Sequence, residues 1–305
     1  MTQETAAPPA TIPILKSEFE NLSCAKEGIL DALAMEERFD LLLENYRDLE
    51  KEILGQSLND SLFADISWMQ FQDIIITLNR KLFNLLSACR LYLDHQRHSL
   101  SSRFGRDSQQ YLAIKSVCRH QYDNRLGYRV MENLRNYTQH RGLPVRQISV
   151  KNKRIDYQDG NIGLLNTIVL NMDLRELEND NKFKKELIEQ IRNGGKYINL
   201  MPLIREYVDG IAVIHNESRS LLKEDIYRWD GLFRSALDRY RDSAGSNEIT
   251  DATVAELDAD GLWVQSFDIL EEFITRRELL ERKNKKAGSY ERRFVSNYPD
   301  LHTFT

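Results

Sequence analysis

Arg135, Asn136 and His140 fall within six consecutive residues, Arg-Asn-Tyr-Thr-Gln-His, near the middle of the chain. A guanidinium presents a planar fork of donors suited to phosphate oxygens and never loses its charge. An imidazole takes up and returns a proton near neutrality. A carboxamide orients a scissile group or fixes which ring nitrogen of the imidazole carries the proton. Together these are parts for attack of a ribose 2'-hydroxyl on its own phosphodiester. His140 would act as base or acid, and Arg135 would stabilise charge developing on the phosphoryl oxygens. The attacking oxygen belongs to the substrate, so such a site would cut RNA, spare DNA and need neither metal nor cofactor.

The element that must hold these groups is a helix predicted over 123–141, with a possible kink at Gly127 and a stop at Gly142 and Pro144. At about 100° per residue, Leu126, Val130, Leu134 and Tyr137 form one narrow apolar stripe. Arg135, Gln139, Glu132, Asn136 and His140 lie away from it. Asn136 and His140, four apart, stack on one side. Arg135 and His140, five apart, are separated by about 140° around the axis and flank a groove unless the helix end unwinds. Arg119, Arg125, Arg129 and Arg141 surround the cluster. Arg129 lies on the side of Asn136 and His140 and is a candidate for guiding phosphate. Arg125, Gln139 and Arg141 are further substrate-binding candidates. Glu132 would restrain Arg135 or His140, or serve as an ordinary intrahelical partner. A second spacing of the same kind, Arg90-x4-His95, has Leu91 where the polar residue should stand.

The rest of the chain reads as mainly α. Helices are expected over 17–32, 34–54 (closed by Gly55), 62–99 (bent near Asn79) and 108–122. Residues 146–157 and 167–174 read as strands joined through Asp159-Gly160-Asn161. Helices are expected again over 180–192, 201–241 and 265–284, with a polar loop at 241–252. The organisation implied is a loose arm over 1–16, a helical bundle over 17–142, a β-hairpin element over 143–178, and a helical region with a basic tail over 179–305. Lys151, Lys153 and Arg154 fall near the hairpin tip.

Net charge is -5, but residues 61–160 hold 16 basic and 8 acidic side chains. A locally positive stretch on an acidic protein suits a polyanion. No run approaches 18 apolar residues, so no membrane span is expected. The first residues lack the basic start and apolar core of a secretory signal. Three scattered cysteines, Cys24, Cys89 and Cys118, read as reduced thiols of a cytoplasmic protein. His95 and His98, three apart with Asp94 adjacent, lack a clear third metal ligand in line. Arg192-Asn193-Gly194-Gly195-Lys196 lacks the Gly-x4-Gly-Lys-Ser/Thr pattern of a phosphate loop.

The stretch Leu134 to Pro144, LRNYTQHRGLP, resembles the Arg-polar-x3-His signature of the HEPN superfamily, as does its place on a late helix of an antiparallel bundle. The resemblance covers about residues 30–142. It implies a metal-independent endoribonuclease in which Arg135 and His140 are the essential pair and Asn136 the adjacent polar residue. It also implies a two-fold homodimer with both motifs lining one cleft, RNA as partner, and a role as a toxin or an antiviral defence effector, with an antitoxin or another defence-system protein as a further partner. Some HEPN-like proteins are catalytically inactive adaptors or RNA-binding modules, which is the competing expectation. A nucleotide-binding regulator is a third.

Overall fold

A computed structural model describes residues 11–63, 67–156, 161–180, 182–192 and 195–295. Most of the expected amino-terminal arm, Asp159 and Gly160 of the hairpin turn, and Asn193-Gly194 lie outside the described residues. In chain order the elements are helices α1 (Lys16–Leu62), α2 (Trp68–Phe104), α3 (Gln109–Asn124) and α4 (Leu126–His140), then strands β1 (Gln147–Asp156) and β2 (Ile162–Asp173). Helices α5 (Leu174–Glu178) and α6 (Lys185–Ile191), strand β3 (Tyr197–Asn199) and helix α7 (Leu200–Ala244) follow. Strands β4 (Asp251–Leu257) and β5 (Trp263–Leu270) and helix α8 (Glu271–Lys283) complete the order, before a single 3-10 turn at Tyr290–Arg292. The fold is mainly helical with two small antiparallel sheets.

The chain divides into two compact units. The larger takes Arg38–Glu217 and the described residues from Lys286 onward; the smaller takes the described residues through Glu37 together with Ser218–Lys285. Each is described by itself.

In the larger unit the periodic apolar residues of α1 are inside: Phe39, Leu42 and Leu49 are fully buried. The two helices expected at 17–54 are one, and Gly55 does not close it. A glycine in a helix interior costs only about 1 kcal/mol, and no atom lies within 4 Å of where its Cβ would stand, so nothing forces a break. Helix α2 starts at Trp68 rather than 62, fixed by a reciprocal cap in which Gln70 N–H meets the Ser67 hydroxyl and Ser67 N–H meets Gln70 Oε1 at 2.9 Å. Its Leu78, Leu82, Leu85 and Leu86 form a continuous buried stripe. Asn79 on the same helix is also buried. Its Nδ2 donates to the Ile75 and Val145 carbonyls (3.0 and 2.8 Å), and its Oδ1 accepts from Val145 N–H at 2.9 Å. One amide thus pairs both backbone groups of a buried residue in the segment that follows α4.

Between α3 and α4 the chain breaks at Arg125, whose backbone is extended. The break at Arg125 falls two residues before the expected kink at Gly127, which lies in the first turn of α4. That glycine instead lets α4 approach α7: an added Cβ would sit 2.4 Å from the Leu203 carbonyl oxygen and 2.7 Å from Glu206 Oε2, which accepts the Gly127 N–H at 2.6 Å. Gly127→Ala should therefore destabilise the protein by about 1–3 kcal/mol, read as a fall in the urea midpoint; an unchanged midpoint would show that this contact relaxes freely.

Strands β1 and β2 form the expected hairpin, with Gln147 opposite Asn171 and Asp156 opposite Ile162. The short β3 joins β2 as a third strand that the sequence pattern does not announce. The apolar half of β2, Ile168 to Met172, supplies the buried face.

In the smaller unit the expected loop at 241–252 and helix from 265 are corrected. Helix α7 runs to Ala244, β4 and β5 pair as a hairpin, and α8 begins only at Glu271. The hairpin turn is held by Asp258, whose Oδ1 accepts from the N–H groups of Asp260 (3.0 Å) and Leu262 (2.8 Å), with Gly261 at φ +80°. Arg277, one of the cations of the basic carboxy-terminal stretch, is buried and makes two bonds to Asp230, at 3.1 and 2.7 Å. Among the described residues no helix is long and apolar enough to cross a membrane.

Candidate functional site

Helix α4 presents the motif as its periodicity requires. Val130, Leu134 and Tyr137 are buried, and Asn136, Gln139 and His140 are exposed. The helix stays regular to its end, since Arg141 N–H donates to the Tyr137 carbonyl at 2.8 Å. His140 is therefore not swung round toward Arg135.

Asn136 and His140 share a recess of about 230 Å³ with Asn133, Tyr137 and Arg141 of the same stretch and with Asp180, Lys182 and Phe183 from the connection between α5 and α6. Phe183 and Tyr137 are almost wholly inside, and the Tyr137 hydroxyl donates to Glu176 Oε2 at 3.0 Å. Burial, followed by that bond, raises the Tyr137 pKa above its ordinary value, so the phenol stays protonated and serves as structure. Asp180 is buried and ties the recess together: its Oδ1 lies 3.4 Å from Arg141 Nε and accepts the Lys182 N–H at 3.1 Å. The recess thus carries two cationic side chains, one imidazole, two carboxamides and a carboxylate already engaged.

Arg135 is not among the residues that line it. It is half-buried, and its Nη1 donates to Asn136 Oδ1 at 3.2 Å. Its Nε is buried without a hydrogen-bond partner among the described residues. The guanidinium reaches the recess only through Asn136.

The other candidates are distributed differently. Arg129 is held by the Asp123 carbonyl (2.5 Å) and Gln190 Oε1 (2.8 Å). Arg125 pairs with Gln121, Asp209 and Glu291 at 2.7, 3.0 and 3.4 Å. Glu132 accepts from Tyr207 Oη at 2.6 Å and from Arg90 Nη1 at 3.2 Å, and so joins α4 to α7 and α2 rather than restraining Arg135 or His140. Burial, with the Glu132 charge adding to it, pushes the Tyr207 hydroxyl up. Gln139 is exposed and does not line the recess. In the second spacing Arg90 is committed to Glu132 and Asp94, and His95 is exposed. Among the described residues no group of three or more His, Cys, Asp or Glu side chains is placed to hold a metal. His215 is fully buried, stacked on Phe39 with centroids 3.7 Å apart and bonded through Nδ1 to the Tyr92 hydroxyl at 3.0 Å. Cys24, Cys89 and Cys118 are all free thiols, and burial raises the pKa of the last two.

Sequence reasoning missed Asn133, Asp180, Lys182 and Phe183. Asn133 sits one turn before Asn136 and was visible on the helical wheel. The other three come from some forty residues further on and carry no local signal. The chain matches no protein-family model, no curated protein and no solved structure.

Proposed function

We propose that this protein is a metal-independent endoribonuclease of HEPN type, in which His140 moves the proton between the ribose 2'-hydroxyl and the leaving oxygen. The observation that supports this best is the recess: His140 and Asn136 open onto one small space flanked by the cations Arg141 and Lys182. Such a space suits a phosphate group with a proton-transfer residue beside it. A role as a toxin or defence effector and a protein antagonist rest on the motif resemblance alone, and a cytoplasmic location on the three scattered cysteines.

The reading includes a two-fold dimer. Arg135 stands outside its own recess, so a facing copy would bring Arg135 of one subunit to the phosphate held near His140 of the other. Mixing provides the test. Purified Arg135→Ala and His140→Ala proteins should each be inactive on an RNA pool in EDTA. Mixed and allowed to exchange subunits, they should recover about a quarter of wild-type activity, because half the dimers would be mixed and each would hold one intact site. The products should end in 2',3'-cyclic phosphate. Activity that never appears in the wild-type protein, or a mixture that stays silent, would remove the enzyme or the shared site respectively.

A second reading, an RNA-binding adaptor without turnover, is favoured by one feature: the Arg135 guanidinium is partnered by Asn136 rather than directed into the recess. It predicts stable binding of RNA with no cleavage.

A further inference from the structure

We propose that the recess beside His140 reads one unpaired nucleobase through a fixed pair of groups, an acceptor on Asn133 and a donor on Asn136. The inference rests on the reading of RNA as substrate and adds what part of the RNA the recess takes.

Carboxamide oxygen and nitrogen are ordinarily exchangeable, and their orientation is assigned from their neighbours. Here the neighbours leave no choice. The Asn133 amide faces the Arg129 carbonyl at 2.8 Å, and a carbonyl only accepts, so that contact must be Nδ2. The Asn136 amide faces Arg135 Nη1 at 3.2 Å, and a guanidinium only donates, so that contact must be Oδ1. Neither group can flip without losing its bond. Each bond uses one of the two donors of Asn133 Nδ2 and one of the two lone pairs of Asn136 Oδ1; the amide atoms left wholly unengaged are Oδ1 of Asn133, which accepts, and Nδ2 of Asn136, which donates. The two residues are three apart on a regular helix, hence neighbours on one face, and both line the recess.

A phosphate has no donor to offer Asn133. A nucleobase does: its Watson–Crick edge carries donors and acceptors side by side, and only an unpaired base has them free. Size agrees. A recess of 230 Å³ lies below the roughly 300 Å³ at which drug-sized pockets begin, room for one ring system rather than a dinucleotide. Arg141 and Lys182 are then left for the flanking phosphates, and His140 stands next to the base it would cut beside.

The test separates this inference from the nuclease itself. Fluorescent single-stranded 2'-O-methyl oligonucleotides lack the attacking hydroxyl, so the wild-type full chain can be titrated with them without cleavage. An oligomer with bases should bind about tenfold tighter than an abasic oligomer of the same length, and one of the four uniform sequences should be preferred. Asn133→Leu should erase the difference. Lys182→Ala should weaken all oligomers equally and flatten the salt dependence. Equal binding of abasic and base-bearing oligomers by the wild type would overturn the inference, and that comparison needs no mutant to fold. Nucleoside monophosphates that bind while oligomers do not would overturn it too, in favour of a free nucleotide. If base discrimination holds but unmodified RNA is never cut, the nuclease reading fails and the inference stands.

Discussion

Replacing His140 by alanine is expected to reduce RNA cleavage by about 10²- to 10⁴-fold, the usual contribution of a positioned proton-transfer group. Arg135→Ala should cost about 10²- to 10³-fold, the range for removing one donor to a developing charge. Arg135→Lys should not restore it, because an ammonium lacks the planar fork. Neither change should disturb the fold. His140 is exposed and is the last residue of α4, and the hydrogen bond Arg135 makes with its side chain goes to the adjacent Asn136. Circular dichroism and the urea midpoint should match the wild type while the cleavage rate falls. A double variant that still cuts RNA at the wild-type rate would assign the activity to other residues.

The second large effect concerns stability rather than chemistry. Asn79→Ala should cost about 2–4 kcal/mol, because it strips the partners from two backbone groups of Val145 in a fully buried place, and an unsatisfied buried group costs about 1–3 kcal/mol. A leucine of similar size should fare no better, since it fills the space without restoring either bond. The reading is a lower urea midpoint of the larger unit, followed through its own probes. The same clamp fastens the segment that begins at Arg141, so the variant should also lose activity above background temperature sooner than the wild type does. A loss of stability below about 0.5 kcal/mol would mean that water or a rearranged backbone replaces the amide.

The helices were legible because their apolar spacing is regular and long. Leu78, Leu82 and Leu85 on α2, and Val130 and Leu134 on α4, show it directly, and each such side chain contributes about 1.5–3 kcal/mol on burial. Gly55 misled because punctuation by glycine is a tendency, and an exposed turn of a long helix tolerates it. The β4–β5 hairpin was missed because its outer half is mostly exposed and its strands lack a clean alternation. Asp260-Gly261 followed by Trp263 and Val264 was the available signal. At the site, the 140° between Arg135 and His140 on the wheel matches their separate surroundings in the fold. The recess itself was illegible, because three of its eight lining residues are Asp180, Lys182 and Phe183, whose approach to α4 depends on tertiary packing and not on any local pattern.

Helices α1 and α7 each lend their residues to both compact units, with the hand-over at Glu37 on one and at Glu217 on the other. Neither half of the chain can therefore be expressed alone as a tidy fragment. A ribosome must deliver residues from 218 onward before the stretch Lys16–Glu37 finds its companions, Trp229 against Gly28 and Phe267 against Phe19 among them. Until then the early surface around Phe19, Leu22 and Ile29 stays bare, a window in which chaperone demand should be highest.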